Sequence, residues 1–159
     1  PRHAIDAGLD ALAALNGVQL TDVSSLYRSA PVDADGPEFI NAVARVDTSI
    51  SPYALLQSLH DIEDAAGRLR PYRNAPRSLD LDLLLYDALI VDGPALTLPH
   101  PRMHLRAFVL APLAEIAPQC RVPGRGAVAD LLAACTGQKI ARIPGSRRCA
   151  TRSGHRAGP

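Results

Sequence analysis

Tryptophan is absent from this sequence, phenylalanine occurs only twice, and aromatic residues make up 4% of the chain. Its core must therefore be built from Leu, Ala, Val and Ile, which a 47% hydrophobic content supplies. No charge of one sign is in excess. Seventeen Lys and Arg stand against sixteen Asp and Glu, a net charge of +1, which argues against a nucleic-acid partner. No apolar run approaches the roughly 20 residues that span a bilayer. The opening residues carry no secretory-signal pattern, so no membrane partner is expected. Cysteine is scarce: Cys120, Cys135 and Cys149 are odd in number, far apart and without a CxxC pair. They read as reduced thiols of a cytoplasmic protein, not as a disulfide framework. The 21% of charged residues is not a disordered composition, and 159 residues fit one domain.

Arg2 to Leu15 reads as an amphipathic helix. Ile5, Leu9, Leu12 and Ala13 recur at helical spacing, and Asn16-Gly17 ends the pattern. Val18 to Ser29, with its β-branched residues, reads as a strand. Ala30 to Pro37 is a loop of turn formers. Phe39 to Thr48 reads as a second strand, with Phe39, Asn41, Val43 and Arg45 on one face. Ser51 can cap a helix with Pro52 at its first position and Leu55, Leu59, Ile62 and Ala66 inward, ending near Gly67. A basic loop, 68–76, leads into a third strand, Ser78 to Tyr86. Short strands follow at Leu89–Val91 and Leu96–Leu98, then a loop to Met103, a helix over Arg106–Ile116 and a short helix over Val128–Cys135. Residues 1–145 read as one domain and 146–159 as a flexible polar tail. Helix, strand, strand, helix, strand is the order of a β-α-β-β-α-β ferredoxin-like unit without its first strand. The expected class is α+β with an antiparallel sheet, and a segment upstream of Pro1 is expected to supply the missing piece.

The third strand, Leu79-Asp80-Leu81-Asp82-Leu83-Leu84-Leu85, is oily yet holds two carboxylates. Strand side chains alternate faces, so Asp80 and Asp82 share one, with Cα atoms about 6.6 Å apart. Such a pair suits magnesium, which takes one or two carboxylates plus substrate phosphates. The plain alternative is the solvated face of an antiparallel strand. Two features favour the metal: Leu84 follows on the same face, and Arg68, Arg70, Arg73 and Arg77 crowd upstream. Carboxylates for Mg²⁺ beside arginines for phosphate make a nucleotide site. Phe39 and Phe108 are core residues on ordinary expectation. Asn41 is either a ligand contact or a turn-pinning amide. His100 and His104 lack the companions that a zinc site needs.

Pro76-Arg77-Ser78-Leu79-Asp80-Leu81-Asp82 resembles the signature of the 6-hydroxymethyl-7,8-dihydropterin pyrophosphokinases. Further segments resemble that family in order: Ser24 to Pro31, Pro37 to Ala42, Ile62-Glu63 with Gly67 to Arg70, and Leu98 to Met103 with Arg106-Ala107-Phe108. The similarity runs from about Arg2 to about Gly126. It implies transfer of pyrophosphate from ATP to the hydroxymethyl group of 6-hydroxymethyl-7,8-dihydropterin, with release of AMP, in folate biosynthesis. By this resemblance Asp80 and Asp82 hold two Mg²⁺ ions. Arg77 contacts phosphate, and Arg68 and Arg70 close over the nucleotide as catalytic residues. Glu63, Leu83, Thr97, His100 and Arg106 line the ATP side. Asn41 bonds the pterin edge near backbone groups of Ser29 and Val32, and Phe39 and Phe108 sandwich the ring. A monomer is expected.

The family opens with a strand ending in a Gly-Ser-Asn type turn, which is absent here, so the domain is read as N-terminally truncated. Ser78 stands where Thr is frequent, Asn74 at an often aromatic position, and His60 where a polar amide is common. Two other readings are a truncated form that binds pterin or nucleotide without turnover, and a palm-type two-metal nucleotidyl transferase. The latter would release pyrophosphate and should carry a basic nucleic-acid track, which the charge does not support.

Overall fold

The computed structural model describes residues 2–30, 38–67 and 79–148. It is an α+β structure with antiparallel strand pairing. Helix α1 spans Arg2–Ala13 and is followed by Gly17 at φ 77°, a left-handed turn that glycine adopts without a Cβ penalty. Helix α2 spans Pro52–Gly67. Its Ser51 Oγ accepts the Ala54 N–H at 3.3 Å, the expected N-terminal cap, and Leu55, Leu59 and Ile62 face inward.

The first two predicted strands form one bent hairpin. β1 (Val18–Val23) pairs with β4 (Ala44–Thr48), and β2 (Tyr27–Ser29) pairs with β3 (Phe39–Asn41). Each predicted strand is broken at the bend. There Ser24 N–H donates to the Val43 carbonyl at 2.8 Å, and Ser24 Oγ accepts the Val43 N–H at 2.9 Å. A side-chain hydroxyl thus replaces a ladder partner. The bend also turns Val43 into the core while Arg45 stays exposed, so the single face expected for Phe39 to Arg45 is not continuous.

Residues 79–86 depart from the expected strand. Side-chain alternation survives, but no ladder is assigned to them. A strand is defined by a neighbour's N–H and C=O groups, and alternation alone supplies neither. Leu79, Leu81, Leu83 and Tyr86 pack on the cluster of α1, β1 and α2 around Leu12, Leu20, Leu55 and Leu59. Leu84 and Leu85 pack instead on a second cluster around Met103, Leu110, Leu113 and Val128. Leu84 thus lies away from the cluster that takes Leu79, Leu81 and Leu83, as the alternation implied, and the even-numbered side passes from the exposed carboxylates into the second core. The segment joins the two cores, and it fits α1 so closely that a Cβ on Gly8 would lie 2.8 Å from Leu79 Cδ2.

Beyond it, β5 (Val91–Asp92) and β6 (Thr97–Leu98) form a small hairpin. A 3-10 turn over Met103–Leu105 leads into α3 (Ala107–Ile116). A hairpin of β7 (Arg121–Val122) and β8 (Gly126–Ala127) precedes α4 (Val128–Ala134). The last strand, β9 (Ile140–Arg142), pairs with β2 and completes a β3-β2-β9 sheet. Ser146, assigned to the tail by its polarity, is buried and accepts the Leu26 N–H at 2.9 Å. Arg147 pairs with Asp22, and Arg148 pairs with Asp6 and Asp10. Among the described residues, no helix is long and apolar enough to cross a membrane.

Candidate active site

A cleft of about 1040 Å³ opens between three pieces of chain: the C-terminal half of α2, the segment 79–83, and the β5–β6 hairpin with the turn after it. Six residues expected on the metal or nucleotide side line it: Glu63, Asp80, Asp82, Leu83, Thr97 and His100. They come from three separated stretches of sequence, and the fold brings them to one place. Asp80 and Asp82 are exposed towards the cleft while the leucines between them pack inward. Glu63 is half-buried on α2. Thr97 sits in β6, where its hydroxyl donates to the Gly93 carbonyl at 3.4 Å.

His100 is held on two sides. Its backbone N–H donates to the Leu84 carbonyl at 2.8 Å, and its Nδ1 accepts the Arg102 N–H at 3.1 Å. That bond leaves the imidazole proton on Nε2, a donor for a ligand. Burial lowers the His100 pKa; Asp82 opposes this shift, and Arg106 and Arg102 add to it. Arg106 thus belongs to the electrostatic surroundings of His100 although it does not line the cleft itself. The Arg106 guanidinium carbon lies 5.5 Å from the centroid of the Phe108 ring, within cation–π range.

Two ionisable cleft residues escaped the sequence reading as site residues. His60 and Asp64 lie on the same wall as Glu63 and Gly67. Their i, i+3, i+4, i+7 spacing on α2, opposite Leu55, Leu59 and Ile62, was the available signal. The wall is acidic, so Glu63, Asp64, Asp80 and Asp82 place four carboxyl groups around one opening. A polyphosphate could enter only with compensating cations. Among the described residues, no group of three or more metal-ligating side chains occurs. Hard oxygen donors in a pair, open to a phosphate ligand, nevertheless fit magnesium. The expected phosphate-binding residues Arg68, Arg70 and Arg77, and Arg73 with them, lie outside the described residues. Gly67 and Leu79, which flank that stretch, both line the cleft.

The residues expected around a pterin gather elsewhere. Ser29 faces Phe39 across the β2–β3 ladder, and Asn41 is opposite Tyr27. Asn41 Nδ2 donates to Ser29 Oγ at 3.0 Å. Phe39 is 58% exposed, which is not the core position ordinary for phenylalanine. Phe108 is partly buried against the second core cluster on α3, a helix in contact with β3. Val32 lies outside the described residues.

An α+β scaffold thus brings an acidic pair and a histidine to one cleft and an exposed phenylalanine to a separate strand edge, an arrangement that suits phosphoryl transfer between two ligands. Comparison with known proteins makes the class specific. Residues 1–118 match the family model of 7,8-dihydro-6-hydroxymethylpterin-pyrophosphokinase. The chain is 47% identical over 147 residues to 2-amino-4-hydroxy-6-hydroxymethyldihydropteridine pyrophosphokinase of Pseudomonas aeruginosa, covering 92% of this chain and 91% of that one. The like-named protein of Haemophilus influenzae is 38% identical over 144 residues, 90% of each chain. That of Bacillus subtilis is 42% identical over 114 residues, 71% of this chain and 68% of its own. The chain belongs to the 7,8-dihydro-6-hydroxymethylpterin-pyrophosphokinase family.

Proposed function

We propose that this chain transfers the pyrophosphoryl group of ATP to 6-hydroxymethyl-7,8-dihydropterin in folate biosynthesis. The observation that carries the proposal is the cleft in which Asp80, Asp82, Glu63, Thr97 and His100 meet, in a chain of this family. The hydroxymethyl oxygen bonds to the β-phosphorus. The bond from that phosphorus to the α,β-bridging oxygen breaks, AMP leaves with that oxygen, and the hydroxyl proton passes to solvent.

Asp80 and Asp82 would hold two magnesium ions, whose charge when bound offsets that of the triphosphate oxygens. His100 would donate its Nε2 proton to a phosphate oxygen, and its bonds to Leu84 and Arg102 keep it aimed. Arg106 and Arg77 would contact phosphate. Arg68 and Arg70 would close over the nucleotide and stabilise charge as it develops. Glu63, Leu83 and Thr97 would hold the nucleotide. On the acceptor side Phe39 and Phe108 would stack on the pterin, with backbone groups of Ser29 and Val32 at its edge. Asn41 would offer its Oδ1 and the second Nδ2 hydrogen, since one Nδ2 hydrogen is engaged by Ser29. Cytoplasmic residence and a monomeric state belong to the same proposal.

The test is nucleotide chromatography with ATP, Mg²⁺ and the pterin. Pterin-dependent AMP is expected. Pyrophosphate release would instead indicate nucleotidyl transfer, and nucleotide binding with no product would indicate a binding module.

A further inference from the structure

We infer that Gln138 is a positioning residue for Arg106 and Phe108. It lies beyond residues 1–118, the span matched by the family model, and it is exposed. Its side-chain amide nevertheless makes two good bonds to one short piece of chain. The Ala107 N–H donates to Gln138 Oε1 at 2.8 Å, and Gln138 Nε2 donates to the Leu105 carbonyl at 2.8 Å. These two backbone groups flank Arg106. A residue of a neighbouring strand would engage the same pair through its own N–H and C=O, and the side-chain amide does so in its place. It clasps Arg106 in an extended conformation, φ −115° and ψ 107°, between the 3-10 turn and α3.

The clasp also serves the helix. Arg106, at the N-cap of α3, makes no side-chain capping bond. The Ala107 N–H, on a residue only 2% exposed, is satisfied by Gln138 from outside the helix. A buried donor without an acceptor is costly, and here a residue remote in sequence removes the problem. Phe108 follows directly, so its ring direction and the Arg106 guanidinium above it depend on the same backbone.

What Gln138 is attached to gives the clasp its purpose. Lys139, the next residue, accepts the Ala30 N–H at 3.3 Å, and Ile140 pairs with Ser29, which pairs with Phe39 on its other side. One stretch, residues 138–140, therefore ties the strand edge carrying Ser29, Phe39 and Asn41 to the turn carrying Arg106 and Phe108. It sets the spacing of the two aromatic walls. Of the natural side chains only Asn and Gln both donate and accept through a planar amide. Leu at this position fills similar space and makes neither bond.

This inference rests on the proposed pterin site for its functional part, and the experiment separates the two. Gln138→Leu is compared with the wild-type chain in amide hydrogen exchange at Ala107 and in steady-state AMP formation. Exchange at Ala107 should accelerate on the order of tenfold, since an acceptor bond is lost. The KM for the pterin should rise about tenfold with kcat changed less than about threefold, the pattern of lost preorganised binding. Gln138→Glu, which keeps the acceptor for Ala107 but not the donor for Leu105, should retain the Ala107 protection and show a smaller KM rise. Unchanged Ala107 exchange, or an unchanged pterin KM in an active Gln138→Leu chain, overturns the inference while the activity stands. No AMP from the wild-type chain overturns the activity, and the exchange arm still decides whether Gln138 holds this turn.

Discussion

Glu115 and the pair Asp80 and Asp82 are carboxylates in opposite circumstances. Glu115 projects from α3, with a side chain 11% exposed. Its Oε1 accepts the Ser25 N–H at 2.6 Å and its Oε2 accepts the Tyr27 hydroxyl at 2.5 Å. Burial raises its pKa, but the bonds from Tyr27 and Ser25 together with Arg147 win, and the net shift is downward. Tyr27 is displaced the other way, to about 12, by burial and by this bond and charge. Asp80 and Asp82, by contrast, are exposed at the rim of a large cleft. The first carboxylate closes a joint between the bent hairpin and α3. The other two face the space a ligand would fill. Whether a carboxylate is sealed between elements or exposed at the cleft thus distinguishes these residues better than the presence of a motif does.

Substitutions can break that contrast, and the largest effect is expected at Asp82. Asp82→Ala should lower AMP formation on the order of a thousandfold, as a lost metal ligand would. Its thermal midpoint should stay close to the wild-type value, because no core volume is removed. A collapse of stability with activity retained in the folded fraction would place Asp82 with the scaffold instead.

Glu115 should behave in reverse. Glu115→Leu strands the Tyr27 hydroxyl and the Ser25 N–H, and should cost about 2–3 kcal/mol in denaturant unfolding, with kcat little altered. The pH dependence has a definite sign. A carboxylate whose folded pKa lies below its unfolded value stabilises the fold fully above the unfolded value, near about 4.3, and the contribution is lost as pH falls towards the folded one. Acid unfolding curves of Glu115→Gln should therefore be flatter than wild type below that point and parallel above it. Parallel curves throughout would remove Glu115 from the acid sensitivity of the fold.

The smallest effect is expected at Arg148. It pairs with Asp6 and Asp10 on α1, but those carboxylates are exposed. Arg148→Ala should cost less than about 1 kcal/mol and leave turnover unchanged. A larger loss by equilibrium unfolding would mean that this strap over α1 does more than decorate it.

The parts legible in the sequence were those set by neighbours in the chain. Ser51 with Pro52 marked the start of α2, Asn16-Gly17 marked the end of α1, and the leucine spacing gave their inward faces. The acidic pair was legible because alternation is local. The breaks at Ser24 and Val43 were not, because a hydroxyl nineteen residues away takes the place of a ladder group. Residues 79–86 looked like a strand because their side chains alternate, whereas a ladder is a property of two segments. Gln138 and Ser146 carried no local mark at all. A polar residue near the end of a sequence reads as solvent-facing until the groups it bonds are known. The polar face of α2 with His60 and Asp64 could have been read, since its spacing is helical.

The pairing of β9 with β2 also gives the protein a timetable. The two strands that meet in that ladder are separated by most of the sequence, so on a ribosome the outer edge of β2 waits bare while α2, α3 and α4 are made. An uncovered strand edge is a template for foreign pairing, and contacts so distant in the chain form late. The wall that bears Ser29 and the turn that bears Arg106 can be brought to their final spacing only when residues 138–142 emerge. Completion of this wall and turn is thereby coupled to the arrival of residues 138–142, and a nascent chain that stops short of them lacks the strand that sets their spacing.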